Sequence, residues 1–157
     1  MTWLVTGGAG YIGSHVAAAL QQADMNVVVV DDLSTGREQF VPPGAVFARG
    51  TILDREFLQE TLERNRVTGV IHVAGFKYAG VSVERPLYTY EQNVTATLTL
   101  LAAMAAADIH RMVFSSSASV YGTPNVDVVT EGTAKAPESP YGETKLIGEW
   151  LLADEGR

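Results

Sequence analysis

The stretch Thr6-Gly7-Gly8-Ala9-Gly10-Tyr11-Ile12-Gly13 decides the fold of this chain. It follows an apolar run, Trp3-Leu4-Val5, which predicts a strand. It opens a segment in which Ile12, Val16 and Leu20 recur at every fourth residue, which predicts a helix. A glycine-rich turn between a strand and a helix is a fingerprint of dinucleotide binding.

Each glycine of this G-x-x-G-x-x-G pattern meets a physical demand. Gly7 permits the tight turn out of the strand, Gly10 lets backbone N–H groups approach a pyrophosphate, and Gly13 lets the helix pack closely on the sheet. The helix N-terminus adds N–H donors and a partial positive field. The alternative is a glycine-rich turn without a ligand, and the strand and helix that flank the turn favour the phosphate site.

Composition narrows the class of protein. With 157 residues and 46% hydrophobic content the chain can bury a core, and we expect one domain over residues 1–157. The sequence has no cysteine, which excludes disulfides and thiolate metal ligands; we expect no metal and a cytoplasmic location. Eleven basic against eighteen acidic residues give a net charge of −7, which argues against nucleic-acid binding. We also expect neither a signal peptide nor a membrane span.

The chain alternates strands with helices. We expect strands at Trp3 to Val5, Met25 to Val30, Ala45 to Ala48, Gly69 to Ala74 and Met112 to Phe114, and helices after Gly10, from about Asp54 to Arg64, from about Pro86 to Ala107 and after Ser139. The pattern predicts an α/β fold, a Rossmann-like, doubly wound parallel sheet of order 3-2-1-4-5.

Asp31 ends the second strand, 18 residues beyond Gly13. A carboxylate at this position of a dinucleotide-binding unit accepts hydrogen bonds from the adenosine ribose and repels a 2′-phosphate, which favours NAD over NADP. The alternative is a carboxylate that only solvates the strand end. The polar turn that follows, Asp32-Leu33-Ser34-Thr35-Gly36, could close over the ribose.

Three further polar residues have two interpretations each. Lys77 lies in the loop Gly75-Phe76-Lys77, where it could meet a cofactor oxygen or remain a solvated surface lysine. His72 lies inside an apolar strand, so a hydrogen-bonded core histidine is favoured over a catalytic one. Asn93 lies one residue off the apolar stripe of the 86–107 helix and could reach a ligand or bond locally. That stripe comprises Leu87, Tyr90, Val94, Thr97, Leu101 and Met104.

Candidate catalytic groups follow the fifth strand. It runs directly into Ser115-Ser116-Ser117, at the sheet edge where open α/β folds build their active sites. Further on, Ser139 and Pro140 can cap a helix, on which Tyr141 and Lys145 fall four residues apart on one face. A nearby ammonium stabilises a phenolate, so the tyrosine can act as a base near neutrality. The alternative is a solvated surface pair.

With these motifs the chain resembles the extended short-chain dehydrogenase/reductase superfamily, and within it the family of UDP-glucose (UDP-galactose) 4-epimerases. The resemblance covers essentially all 157 residues. It rests on five motifs in family order and spacing: the stretch from Val5 to His15, Asp32-Leu33-Ser34-Thr35-Gly36, His72-Val73-Ala74-Gly75-Phe76-Lys77, the stretch from Phe114 to Gly122, and the stretch from Pro137 to Lys145.

The resemblance implies an NAD-dependent isomerase of galactose metabolism that interconverts UDP-galactose and UDP-glucose through a 4-keto intermediate. Tyr141 would remove the proton of the sugar 4-hydroxyl, Ser117 would hydrogen-bond that oxygen, and Lys145 would hold the nicotinamide ribose. The implied cofactor residues are Gly7, Gly10, Tyr11, Ile12, Gly13, Asp31, Asp32, Leu33, Ser34, Thr35, Gly36, Thr51, Ile52, Val73, Ala74, Gly75, Phe76, Lys77, Asn93, Ser115, Tyr141 and Lys145. A homodimer through helices 86–107 and 140–157 is implied for the full-length form.

Two features depart from the family pattern. An acidic residue that helps recognise adenine commonly follows Gly50, and here the position is Thr51. Family members are also about twice as long, so we expect this chain to be the N-terminal part, with the nucleotide-sugar domain missing. Two other functions stay open: an NAD-binding module without turnover, and a nucleotide-sugar dehydratase. Ser117-Ala118-Ser119 lacks the carboxylate that a dehydratase needs, which counts against the latter.

Overall fold

The computed structural model describes residues 1–156, and Arg157 lies outside the described residues. The chain forms two compact units. The first comprises Met1–Gly75 and Thr97–Ser115, and the second comprises Phe76–Ala96 and the chain from Ser116 onward.

The first unit contains the sheet. Its strands are β1 (Thr2–Thr6), β2 (Asn26–Asp31), β3 (Val46–Arg49), β4 (Gly69–His72) and β5 (Met112–Phe114). Every pairing is parallel and the order is β3-β2-β1-β4-β5, which confirms the predicted topology. Since Thr6 pairs with Val30 on one side and His72 on the other, the carboxyl ends of the three central strands lie level.

Helices and short helical turns connect the strands. Within residues 1–156 the helices are α1 (Tyr11–Gln22), α2 (Arg55–Arg64), α3 (Ala79–Glu84), α4 (Pro86–Tyr90), α5 (Ala96–Ala106) and α6 (Pro140–Glu155). A π-helical segment, Glu91–Thr95, joins α4 to α5, and 3-10 turns lie at Glu38–Phe40 and Ala118–Tyr121. None of the helices described is both long and apolar enough to cross a membrane.

Strand β2 shows why the core lies on both faces of the sheet. Val28 and Val30 belong to a cluster with residues of α2 and α5, whereas Val27 and Val29 belong to a second cluster with Ala17 of α1. A strand buried on both faces reads as a continuous apolar run, as β2 does.

Two details of the helices differ from the sequence-based expectation. In α1, Val16 and Leu20 pack on the core, but Ile12 is 59% exposed because it lies in the first turn, at the edge of the sheet. In the 86–107 region, Leu87 is 85% exposed, while Thr89 and Asn93 are buried. The inward face there includes hydrogen-bonded polar residues, which a search for apolar periodicity cannot find.

Candidate functional site

At two glycines of the first unit, a side chain would collide with neighbouring backbone atoms. Gly7 has a φ of +69°, and a Cβ built on it would lie 2.8 Å from the backbone nitrogen of Ala74. A Cβ on Gly13 would lie 2.1 Å from the carbonyl oxygen of Gly7. The turn between β1 and α1 therefore requires glycine at both positions.

Helix α1 begins without a side-chain cap. Gly10 is its N-cap and offers no side-chain hydrogen bond. The first two residues of the helix, Tyr11 and Ile12, are 75% and 59% exposed, so this helix end lies at the surface. Backbone N–H groups of the first turn and the helix dipole are therefore available to an anion such as a phosphate.

Asp31 lies against the glycine-rich turn. It is the last residue of β2 and is 9% exposed. Its Oδ2 accepts a hydrogen bond from the backbone N–H of Ala9 at 3.0 Å, and its Oδ1 accepts one from Leu33 N–H at 2.8 Å. A carboxylate oxygen that accepts one hydrogen bond has the capacity to accept a second.

The segment 32–36 turns back over Asp31. Leu33 adopts a φ of +63°, an uncommon conformation for a leucine. The Oδ1 of Asp32 accepts a hydrogen bond from Ser34 N–H at 2.8 Å, and Ser34 and Thr35 are exposed. A Cβ on Gly36 would lie 2.7 Å from Asp31 Oδ1. This segment therefore closes on the carboxylate, and its two hydroxyls remain accessible.

Other predicted cofactor residues of this unit form hydrogen bonds or core contacts within the protein. Thr51 Oγ1 accepts a hydrogen bond from Leu53 N–H at 3.2 Å, and Ile52 packs against the core. The N–H groups of Val73 and Ala74 both lie within hydrogen-bond distance of Thr6 Oγ1, and Ser115 N–H donates to the carbonyl of His72 at 3.0 Å.

His72 is a core histidine, as predicted. It is 2% exposed, and its ring nitrogens lie 2.7 Å from Thr6 Oγ1 and 3.1 Å from Thr97 Oγ1. Both nitrogens are occupied by buried hydroxyls, so the ring holds β1, β4 and α5 together.

In the second unit, the start of α6 positions Tyr141. Ser139 caps the helix by accepting a hydrogen bond from Gly142 N–H, and Pro140 is its first residue, as the sequence predicts. The buried Ser82 Oγ accepts a hydrogen bond from Tyr141 N–H at 3.1 Å. Two hydroxyls thus satisfy N–H groups that a helix start leaves unpaired.

Lys145 lies one turn further along α6 and is buried. Its side chain is 6% exposed, and its Nζ lies 5.9 Å from the centre of the Tyr141 ring. Burial lowers the pKa of Lys145 to about 8. The helix therefore places an ammonium, charged at neutral pH, beside a phenol, as the sequence predicts.

Asn93 also lies in the second unit and is 6% exposed. Its amide bonds both backbone groups of Phe76 and donates to Thr144 Oγ1 at 2.9 Å. Lys77, the residue after Phe76, is exposed, and its Nζ lies 5.8 Å from the Tyr78 ring centre. The observed bonds of Asn93 thus reach residues 17 and 51 positions away, so they are not the local bond of one interpretation, and the contact with a ligand stays a prediction.

Ser117 has an extended backbone at the start of the 3-10 turn. Its Oγ accepts a hydrogen bond from Ser119 N–H at 3.2 Å, and the two hydroxyls also lie 3.2 Å apart. The preceding residue, Ser116, donates to Glu149 Oε1 of α6 at 2.6 Å. Sequence reasoning named Ser116 among the three consecutive serines but missed its partner Glu149, and it missed Ser82. The available signal for Glu149 is its place four residues after Lys145, which in turn follows Tyr141 by four.

The sequence profile of the NAD dependent epimerase/dehydratase family matches residues 3–157. The chain belongs to this family. Among curated relatives of this epimerase/dehydratase chain, UDP-glucose 4-epimerase of Azospirillum brasilense is 44% identical over 153 residues, covering 98% of this chain and 44% of that protein. The chain thus spans about half the length of the curated relatives it matches.

Solved structures of epimerases superpose closely on the chain. UDP-glucose 4-epimerase from Brucella ovis in complex with NAD gives a TM-score of 0.95 at 44% identity, over 98% of this chain and 47% of that one. The Bifidobacterium longum enzyme in complex with NAD+ and UDP gives 0.93 at 35% identity, over 98% and 48%. The family resemblance and the Rossmann-like fold inferred from sequence are therefore confirmed.

Proposed function

We propose that this chain is the NAD-binding and catalytic portion of a UDP-glucose 4-epimerase, which interconverts UDP-galactose and UDP-glucose. The observation that carries the proposal is the buried ammonium of Lys145 beside the Tyr141 ring, on a helix that is capped at Ser139. Burying a lysine ammonium costs free energy. A buried lysine is therefore more typical of a functional site than of a purely structural one. The names of the relatives support the same reaction.

The residues of the first unit fit NAD. Side chains at Gly7 and Gly13 would close the turn, and the uncapped start of α1 suits a pyrophosphate. The Asp31 carboxylate suits two ribose hydroxyls and would repel a 2′-phosphate. Bound NAD would accept a hydride from C4 of the sugar and return it to the opposite face of the 4-keto group, so the configuration at C4 inverts without net oxidation.

Tyr141 acts as the base in this proposal. Its phenolate takes the proton of the sugar 4-hydroxyl as that carbon is oxidised, and the phenol returns the proton when the carbon is reduced. Lys145 stabilises the phenolate, since its pKa of about 8 keeps it mostly protonated at pH 7. The Ser117 hydroxyl, which donates to Ser119 Oγ at an oxygen–oxygen distance of 3.2 Å, rotates to donate to the substrate oxygen instead.

The proposal is tested by incubating the purified protein with UDP-galactose and separating the nucleotide sugars. We expect UDP-glucose from the wild type and at least about a 100-fold lower rate from Tyr141→Phe, with NAD binding retained. Tyr88→Phe, in the same unit, is the matched control and keeps the rate. Tight NAD binding without conversion by the wild type would instead identify a cofactor-binding module, the second function that the sequence left open.

We further infer that the full-length form is a homodimer through helices 86–107 and 140–157; Arg157 lies outside the described residues. Leu87 and Trp150, one on each helix, are 85% and 57% exposed, which supports an apolar contact surface. Sedimentation of the wild type at twice the mass of one chain, and of Trp150→Glu at one chain mass, would support the dimer. A wild type that sediments as a monomer would refute it.

A cytoplasmic location is inferred from the lack of cysteine.

A further inference from the structure

Glu149 has two partners outside its own helix. Its Oε1 accepts the hydrogen bond from Ser116 Oγ at 2.6 Å, and its Oε2 pairs with the ammonium of Lys135. Burial alone would raise the pKa of Glu149, but the hydrogen bonds from Lys135 and Ser116 outweigh burial and lower it. The carboxylate is thus charged at neutral pH and joins α6 to two loops.

The position of Glu149 relates it to the catalytic helix. It follows Lys145 by four residues and Tyr141 by eight, so all three side chains leave one face of α6. Ser116, which it binds, directly precedes Ser117. The face of α6 that carries Tyr141, the proposed base, therefore also carries Glu149, which binds the residue next to Ser117.

A second close approach fixes the other side of Ser117. At Gly142, a Cβ would lie 2.7 Å from the carbonyl oxygen of Ser119, so α6 packs there directly on the 3-10 turn. Ser117 thus lies between two fixed points, the Ser116–Glu149 hydrogen bond and the Gly142–Ser119 approach. Within residues 1–156, the Ser117 hydroxyl forms its hydrogen bonds with Ser119 of this same turn.

We propose that Glu149 is a positioning residue, which holds Ser117 in register with Tyr141 by accepting the hydrogen bond of Ser116. The catalytic consequence rests on the proposed function. The acceptor oxygen of Glu149 keeps Ser117 in place through Ser116. A displacement of Ser117 by about 1 Å would lower the rate by up to about 100-fold. Lys135 contributes little to this register, because its ion pair is solvent-exposed.

The test compares Glu149→Gln with Glu149→Ala in the purified protein. Glutamine keeps a carbonyl acceptor for Ser116, so kcat for UDP-galactose should stay within about 3-fold of the wild type. Alanine removes the acceptor, and kcat should fall about 10- to 100-fold at nearly unchanged KM. Ser116→Ala should cause the same loss, and the double variant Ser116→Ala/Glu149→Ala no further loss, because both changes remove one interaction.

Two controls isolate the acceptor from the charge. Lys135→Ala removes the ion pair and should leave kcat within about 3-fold, as should Glu155→Ala, an exposed glutamate of the same helix. Equal losses in the glutamine and alanine variants of Glu149 would overturn the proposal, because the charge would then be responsible. A lower melting temperature with unchanged kcat would overturn it as well, because Glu149 would then be only structural.

A readout without turnover separates this proposal from the proposed function. The Ser119 amide donates to Ser117 Oγ, so its resonance in a 15N-edited NMR spectrum reports the position of that side chain. It should shift in Glu149→Ala and keep its wild-type position in Glu149→Gln. An unshifted amide in Glu149→Ala overturns the positioning role, whether or not the protein is active. A wild type without epimerase activity, together with the expected shift, refutes the proposed function and leaves the role of Glu149 standing.

Discussion

The side chain of Asn93 brackets the backbone of Phe76. Its Oδ1 accepts a hydrogen bond from Phe76 N–H at 2.7 Å, and its Nδ2 donates to Phe76 C=O at 3.0 Å. The same nitrogen donates to Thr144 Oγ1, whose hydroxyl donates in turn to the carbonyl of Tyr141. One buried amide therefore links the loop that carries Lys77 to the first turns of α6.

Asn93→Ala should destabilise the protein by about 2–4 kcal/mol, because it leaves both partly buried backbone groups of Phe76 without their present partner. Urea unfolding, followed by circular dichroism, measures this. Gln92→Ala changes the neighbouring, less buried amide and should stay within about 0.5 kcal/mol. Equal effects of the two substitutions would mean that the hydrogen bonds between Asn93 and Phe76 add nothing specific to the stability.

Lys145→Met should make the protein more stable at pH 7 and inactive. Methionine occupies a similar volume without the buried charge, whose pKa falls from 10.5 to about 8 on folding. That shift corresponds to about 3 kcal/mol at most, and we expect a gain of about 1–3 kcal/mol. The free energy of unfolding from urea titrations, with the conversion of UDP-galactose measured in parallel, checks both parts. A destabilised variant would show that other contacts of the lysine outweigh its burial.

The same shift sets a pH dependence. Between pH 8 and pH 10.5 the unfolded chain binds the Lys145 proton and the folded chain releases it. Stability from this residue therefore rises with pH across that window, and the advantage of Lys145→Met shrinks towards zero. Activity should fall above pH 8, because the neutral amine no longer stabilises a phenolate. Chemical denaturation of both proteins at pH 7 and pH 9.5 measures the change, and a constant difference would contradict it.

Much of the fold followed from the sequence because its signals are local. The β2 run, the Asp54 cap of α2 and the Ser139-Pro140 start of α6 each depend on residues that neighbour one another. The strand order followed from the alternation of strands and helices, together with the glycine-rich turn after β1. These elements form with boundaries within two residues of the prediction.

The contacts that sequence reasoning missed join residues far apart in the chain. Ser116 and Glu149 are 33 residues apart, and Ser82 and Tyr141 are 59 apart. Helix α3, which carries Ser82, is short and lacks a side-chain cap and a clear apolar period. Such a helix is stabilised by tertiary packing and not by its own sequence, so propensity and periodicity give no signal for it.

Gly13→Ala should weaken both stability and NAD binding. The new Cβ would lie 2.1 Å from the Gly7 carbonyl oxygen, so the start of α1 must move away from the turn. We expect a loss of about 2–4 kcal/mol in unfolding free energy. Gly80→Ala is the control: nothing lies within 4 Å of its Cβ, and alanine at this second position of α3 should change the unfolding free energy by no more than about 0.5 kcal/mol. Thermal melts with and without NAD report both effects, and a tolerated Gly13→Ala would refute the requirement for glycine.

Asp31→Asn should shift the cofactor preference away from NAD. The carboxylate accepts hydrogen bonds from Ala9 N–H and Leu33 N–H, and an asparagine side chain keeps only one acceptor oxygen and loses the charge that repels a 2′-phosphate. The ratio of NAD to NADP affinity should therefore fall at least about 10-fold, because a hydrogen bond to a charged group contributes about 1.5–3 kcal/mol. Calorimetric titration with each nucleotide, after removal of any that co-purifies, gives the ratio. Asp24→Asn, an exposed carboxylate just before β2, should leave it unchanged. If both variants keep the wild-type ratio, Asp31 serves only to hold the glycine-rich turn, and cofactor selection lies elsewhere in the protein.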